Sequence, residues 1–296
     1  MSSRRTTVVA TAVLLGITAC WGSTFFLIHD LLDRIPAVDF LAVRFSIAAV
    51  LLLAVAPKAV LRLSPATRRQ ALVLGCLYGV AQILQTAGLA HTPASVSGFI
   101  TGMYVVATPL FAAVLLRSRI TRMTWAAVAL AAGGLGVLTL DGFSVGYGEA
   151  LTLVAAMLYA LHIVGLGAWS TARDALGMSI LQVVVVAVIC LVASAPHGIQ
   201  LPDNGRDWLS VGYMAVFPAA LALLGQTWAQ AHLPPTRTAI VMSMEPVFAA
   251  LFAVWFGGES TTVRMVTGGL MVLTAMLIVE IGPRRRLEAE VPHIAV

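Results

Sequence analysis

The chain has 296 residues, 59% of them hydrophobic and only 10% charged. A soluble domain carries roughly 25% charged residues, so a water-soluble fold of this size is excluded and lipid is the solvent that suits the composition. The net charge of +5 is dispersed over short connections, which argues against nucleic acid as a partner.

Ten apolar segments follow in chain order: Thr7–Ile28, Phe40–Ala56, Gln70–Ala90, Pro93–Leu116, Met123–Leu140, Glu149–Ser170, Met178–Ala195, Trp208–Ala231, Thr236–Phe256 and Val263–Ile281. Each is continuous and about as long as a bilayer-spanning helix. None shows the residue-by-residue alternation of a transmembrane barrel strand. The connections carry turn chemistry, as in Asp141-Gly142, Pro202-Asp203-Asn204-Gly205 and Gly257-Gly258. The expected fold class is an all-α integral membrane protein with ten transmembrane helices.

The first segment contains "ITACWGSTFF", Ile17–Phe26, which resembles a lipoprotein cleavage site at Cys20. The apolar run does not stop there, however. It continues through Phe25, Phe26, Leu27 and Ile28, beyond the ~7–15 residues of a signal-peptide core, and removing it would leave an odd number of helices. The expectation is a retained first helix with Cys20 inside it. The other cysteines, Cys76 and Cys190, also lie in apolar runs, so no disulfide framework is expected.

The basic residues fix an orientation. With a cytoplasmic N-terminus, 14 of the 18 Lys and Arg residues fall on the inside, and only Arg34, Arg206 and Arg264 outside; Arg44 lies within the second segment. The positive-inside bias predicts a multi-pass protein of the cell (inner) membrane with both termini cytoplasmic.

The two halves are related. A shift of 138 residues lays Leu14–Phe26 over Thr152–Val164 and Phe40–Leu53 over Met178–Leu191, which pairs Trp21 with Tyr159, Thr24 with His162, and Arg44 with Gln182. "TPLFAAVL" (Thr108–Leu115) likewise matches "EPVFAALF" (Glu245–Phe252). Residues 1–141 and 142–283 read as five-helix repeats, with residues 284–296 as a cytoplasmic tail. Because each half has an odd number of helices, the second enters the membrane from the opposite side. Inverted repeats around a central midplane site are a transporter arrangement.

Five stretches resemble one family: "ACWGSTFFLIHDLL", "AVRFSIAAVLLL", "TPASVSGFITGMYVVATP", "GQTWAQ" and above all "EPVFAALFAVWFGGE" (Glu245–Glu259). Together they are similar to the EamA branch of the drug/metabolite transporter superfamily. That resemblance implies a basket of ten helices around a central cavity, and export of small metabolites such as amino acids, or of drugs.

Polar residues in apolar runs are the candidates for the work. Arg44 and Glu245 are the two charges deep in the predicted helices. Placing a charge there costs about 2.5–3.5 kcal/mol on insertion scales, so each should face a cavity or a partner. Arg44 suits an anionic substrate group. Glu245, beside the helix-kinking Pro246, suits a cationic amine or a coupling proton. His162 is a second candidate for protonation. Gln85 and Gln226 are the preferred neutral cavity residues, and Trp21, Tyr104 and Tyr159 the preferred aromatics, with Thr24 beside them. Gly75 and Gly79, and Gly98 and Gly102, make GxxxG spacings that suit close helix packing. Glu259 reads as a helix-end anchor.

No cofactor or metal is expected, since the chain has no HExxH, no phosphate-binding loop and no clustered ligand spacing. Gly142-Phe143-Ser144-Val145-Gly146 matches GxSxG, but lies in a turn between membrane helices rather than on a strand-to-helix elbow. The expected partners are the lipid bilayer, a small-molecule substrate and protons. The sequence does not distinguish a monomer from a homodimer. The alternatives to a secondary transporter are an intramembrane enzyme and a non-transporting receptor or assembly subunit.

Overall fold

The computed structural model describes residues 2–92, 94–139, 146–256 and 261–281. Among them there is no strand. The α-helices are α1 (Ser2–Gly22), α2 (Thr24–Leu32), α3 (Ala37–Val55), α4 (Pro65–Leu89), α5 (Ala94–Gly102), α6 (Tyr104–Leu115), α7 (Arg122–Thr139), α8 (Tyr147–Trp169), α9 (Ala175–Ser194), α10 (Gly205–Met214), α11 (Ala222–Gln230), α12 (Pro235–Met242), α13 (Glu245–Phe256) and α14 (Val263–Ile281). A 3-10 turn, Val60–Arg62, precedes α4, and a π-helical segment, Ala215–Leu221, joins α10 to α11. Six helical stretches are long and apolar enough to cross a membrane: Arg5–Gly22, Ala37–Val55, Pro65–Leu89, Tyr147–Trp169, Ala175–Ser194 and Gly205–Gln230. Shorter apolar helices run over Ile100–Leu115, Arg122–Val137 and Val266–Ile278.

Local chemistry explains the helix starts. Ser64 caps α4 by accepting the Thr67 amide at 3.1 Å, with Pro65 at the first helical position, where its missing N–H leaves nothing unsatisfied. Asn204 caps α10 through the Asp207 amide at 2.9 Å.

The helices pack as a bundle with apolar side chains facing outward, among them Val50, Val114, Leu209 and Trp255. That is stable only where lipid is the solvent. α4 lies between α8 and α9, α3 lies against α9, α7 pairs with α14, and α1 touches α11 and α13. The α4–α9 contact depends on Gly75. A methyl there would come within 2.8 Å of Val185 Cβ and 3.1 Å of the Gln182 Cα, so one member of the predicted GxxxG pair is what admits the neighbouring backbone.

Four of the predicted spans are interrupted; the sequence reading expected a kink in the ninth, beside Pro246, and had the other three continuous. The first breaks at Ser23, between α1 and α2, where Ser23 and Thr24 hydroxyls donate to the carbonyls of Cys20 (2.7 Å) and Trp21 (2.8 Å) and compete with the helical ladder. The fourth breaks at Met103, whose amide reaches back only three residues to Ile100 at 3.1 Å. The eighth passes through the π segment around Pro218. The ninth breaks over residues 243–244, with the Met244 amide on Val241 at 3.2 Å and the Ser243 hydroxyl on Ile240 at 2.7 Å. Glu245 therefore begins α13 instead of sitting mid-helix, and Pro246 occupies a first-turn position where a proline needs no donor.

A second correction concerns charge. Arg44 and Glu245 are buried, but so are Asp39, Asp207 and Arg237, in the first turns of α3, α10 and α12. Asp39 accepts the Gln200 amide at 3.1 Å, and Asp207 forms a two-point pair with Arg34 at 3.0 and 2.9 Å. The cysteines are free thiols, with Cys20 half-buried in α1. Glu259 and the Gly142–Val145 part of the GxSxG pentapeptide lie outside the described residues.

Candidate substrate cavity

A partly open cavity lies inside the bundle, with about 60 Å³ of room for the centres of water-sized molecules. Its walls come from helix faces with the 3.6-residue period. Trp21, Thr24, Phe25 and Ile28 form a stripe that continues across the Ser23 break. On α4 the stripe is Tyr78, Gln82, Gln85 and Leu89, with Thr86 beside it; on α8 it is Tyr159, His162 and Ile163. Arg44 from α3, Thr101 and Tyr104 from either side of the Met103 break, Gln226 from α11, and Met242 and Glu245 from either side of the 243–244 break complete the lining.

All nine residues singled out as cavity candidates in the sequence thus meet around one space. Trp228 is not among the lining residues and packs on His232, with centroids 5.0 Å apart. Gln182 and Gln230 join helices. Tyr78, Gln82 and Thr101 line the cavity too. Phe25, Ile28, Thr86, Leu89, Ile163 and Met242 carried no sequence signal of their own. The helical spacing from Tyr78 to Gln85, extended by one turn, would have reached Leu89.

The polar groups are wired with definite directions. The Trp21 Nε1–H donates to the Pro218 carbonyl at 2.9 Å. Pro218 has no N–H for the carbonyl four residues earlier, that of Met214, and Arg44 Nε donates to that carbonyl at 3.1 Å. The Arg44 guanidinium also lies over the rings of Phe40 (5.8 Å) and Phe45 (5.1 Å). Tyr159 hydroxyl accepts from Gln82 Nε2 at 2.8 Å and donates to Gln85 Oε1 at 2.7 Å, and Gln85 Nε2 donates to Thr101 Oγ1 at 3.0 Å.

Two side-chain orientations follow from carbonyls that can only accept. Gln182 Nε2 donates to the Met178 carbonyl at 3.2 Å, which turns Gln182 Oε1 toward His162 Nε2 at 2.8 Å. Nε2 must then carry the proton, an assignment that rests on this network. Gln230 Nε2 donates to the Ile163 carbonyl at 2.7 Å, so Gln230 Oε1 receives Gln226 Nε2 at 3.1 Å. Gln226 Oε1 is left buried without a partner.

Among the described residues the Glu245 carboxylate has one hydrogen-bond partner, the Tyr104 hydroxyl, which donates at 3.5 Å. Among the described residues no ion pair joins it to Arg44. Gly22 packs directly against this part of the chain: a methyl there would meet the Glu245 carbonyl at 2.9 Å. Among the described residues no group of His, Cys, Asp and Glu is arranged to hold a metal.

The model of the EamA-like transporter family matches residues 9–140 and again residues 146–281. The chain belongs to the EamA-like transporter family. Three relatives of this EamA-like chain carry transporter names. One from Archaeoglobus fulgidus, named an uncharacterized transporter, is 27% identical over 90% of this chain and 83% of its own. The inner membrane transporter YedA of Escherichia coli K12 is 24% identical over 90% and 89%. A probable terminal-alkyne amino-acid exporter of Streptantibioticus cattleyicolor is 27% identical over 92% and 94%. A solved crystal structure shares the EamA-like chain's fold with a TM-score of 0.78, at 17% identity over 94% of this chain and 98% of that one. The chain is a multi-pass α-helical membrane protein and a transporter.

Proposed function

We propose that the chain is a secondary transporter that exports small amphipathic metabolites, amino acids or drugs across the inner membrane by alternating access. Counting each interrupted helix as one span makes ten, and the two matches to the family model support two five-helix repeats of opposite orientation. Both termini are cytoplasmic in this reading, on the strength of the basic-residue distribution. Substrate binds among Trp21, Thr24, Arg44, Gln85, Tyr104, Tyr159, His162, Gln226 and Glu245. The exporter direction draws on the amino-acid exporter relative.

The observation that carries the proposal is the convergence of broken helices on one cavity. Interrupted membrane helices are tolerated where their free backbone groups line a site or are held by protein. Here the Ser23, Met103 and 243–244 interruptions each lie between cavity-lining residues, and the π segment is tied to the cavity wall by the Trp21–Pro218 and Arg44–Met214 hydrogen bonds. Rocking one half against the other about these interruptions would expose the cavity to each side in turn.

Glu245 is assigned to proton coupling, because a lone carboxylate in a membrane cavity can exchange its charge for that of a cationic substrate. His162 has one nitrogen held by Gln182 and keeps the other available, as a secondary coupling group. Purified protein in proteoliposomes preloaded with amino acids tests the proposal. Counterflow that is abolished by Glu245→Gln and Arg44→Gln is expected, with uphill flux driven by an imposed proton gradient. Two fully active variants would sink the site assignment, and flux indifferent to the gradient at every pH would make the protein a facilitator.

A further inference from the structure

The cavity's polar groups are sorted by sign. One wall holds Arg44, which is 3% exposed, has its Nε on the Met214 carbonyl, and, among the described residues, pairs with no carboxylate. The remaining guanidinium N–H groups are the donors this wall presents. The other wall holds acceptors. Glu245 is 8% exposed, and among the described residues its one hydrogen-bond partner is Tyr104, at 3.5 Å. Gln226 Oε1 is buried and unpartnered, and its direction is fixed by the Gln230–Ile163 bond behind it. Gln226 Nε2 also lies 3.8 Å from the sulfur of Met242, just before the break that presents Glu245, which groups Gln226 with Glu245.

Tyr78 and Tyr159 lie within the electrostatic reach of both charges, with ring centroids 5.7 Å apart. Two opposite charges buried in one cavity would ordinarily satisfy each other. Among the described residues these two do not pair, the guanidinium and the carboxylate lying more than 4 Å apart.

We infer that the substrate is a dipolar molecule whose anionic and cationic groups are separated by an apolar or aromatic spacer, the anion seated at Arg44 and the cation at Glu245 and Gln226. The inference rests on the transport reading above and narrows its substrate class. A molecule with both charges on one carbon reaches only one wall. A molecule with a spacer reaches both and lays the spacer along Tyr78, Tyr159 and the apolar Phe25 and Ile28.

Two pairs of isomers isolate charge separation from composition: 4-(aminomethyl)benzoate against phenylglycine, and 6-aminohexanoate against norleucine. Calorimetric titration of the full chain in nanodiscs should find each separated-charge isomer about tenfold tighter or more than its α-amino isomer. 4-(Aminomethyl)benzoate should also bind about tenfold tighter than 4-methylbenzoate or 4-methylbenzylamine. Glu245→Gln should reduce 4-(aminomethyl)benzoate to the affinity of 4-methylbenzoate, and Arg44→Gln to that of 4-methylbenzylamine. Equal affinities within each isomer pair, tighter α-amino isomers, or no binding of any of these probes overturns the inference. The wild-type series alone decides it if a variant does not fold.

Counterflow with the same probes separates the two readings. Isomer preference without flux leaves the dipolar site standing and removes the transport proposal. Flux of other metabolites without isomer preference does the reverse.

Discussion

Gly22→Ala is the most direct test of how α1 and α13 are assembled. The added methyl would lie 2.7 Å from Phe248 Cβ and 2.9 Å from both the Ala249 nitrogen and the Glu245 carbonyl oxygen. Two of these are backbone atoms and cannot swing away, so the helices must part by about 1 Å to regain a separation of ~3.5–4.0 Å. Overpacking of this kind costs about 1–3 kcal/mol. The same helix contains an internal control: Gly16 has nothing within 4 Å of the corresponding position, so Gly16→Ala is expected to be neutral or to stabilise by up to about 1 kcal/mol through helix propensity. Thermal unfolding of the purified proteins, followed by tryptophan fluorescence, should place Gly22→Ala several degrees below wild type and Gly16→Ala at or above it. Since the clash falls on the carbonyl of Glu245, counterflow by Gly22→Ala should also drop well below the midpoint temperature. If Gly22→Ala melts with wild type, or both variants fall together, the close approach of α1 and α13 is refuted.

Further tests address other parts of the molecule. Tyr159→Phe removes a hydroxyl that serves both Gln82 and Gln85, and at about 0.6 kcal/mol per membrane hydrogen bond should destabilise by about 1 kcal/mol while weakening ligand binding; an unchanged binding isotherm would remove the network from the site. Arg34→Ala opens the partly exposed pair with Asp207 and should lower stability by about 0.5–1 kcal/mol at low salt, less at high salt; a loss that does not vary with ionic strength argues against an electrostatic origin. Single cysteines at positions 62 and 206, in a chain cleared of native cysteines, should react with impermeant reagents from opposite faces of inside-out and right-side-out vesicles; labelling from the same face would refute the assigned topology. Intact mass of the purified chain should retain residues 1–19 without lipid on Cys20, and a lipidated, shortened species would restore the cleavage reading.

The spans were readable because lipid imposes a length and a composition on any helix that faces it, whatever the rest of the chain does. The cavity-facing residues were readable in part for a related reason: an arginine or glutamate in an apolar run must face something polar, and Arg44 and Glu245 do. The interruptions were harder to foresee. Ser23, Met103 and Ser243 are ordinary residues in apolar context, and what makes a break tolerable there is a partner elsewhere. Pro218 offers no N–H to the Met214 carbonyl, and Arg44 donates to that carbonyl from α3. Gln226 shows the same limit, because which end of its amide faces the cavity is decided by Gln230 and, behind that, by Ile163. Thr86 and Leu89 went unremarked because nothing in their chemistry sets them apart from residues that face lipid.

The π segment has a rotational consequence. A π turn winds in one more residue than the α turn it replaces, and one residue is about 100° of helix. The face that α11 shows to the cavity, Gln226 included, is therefore set by stored winding over Ala215–Leu221. That winding is pinned from outside by two hydrogen bonds, from Trp21 to Pro218 and from Arg44 to Met214. Trp21 and Arg44 both line the cavity, so two of its wall residues are also the anchors of that winding.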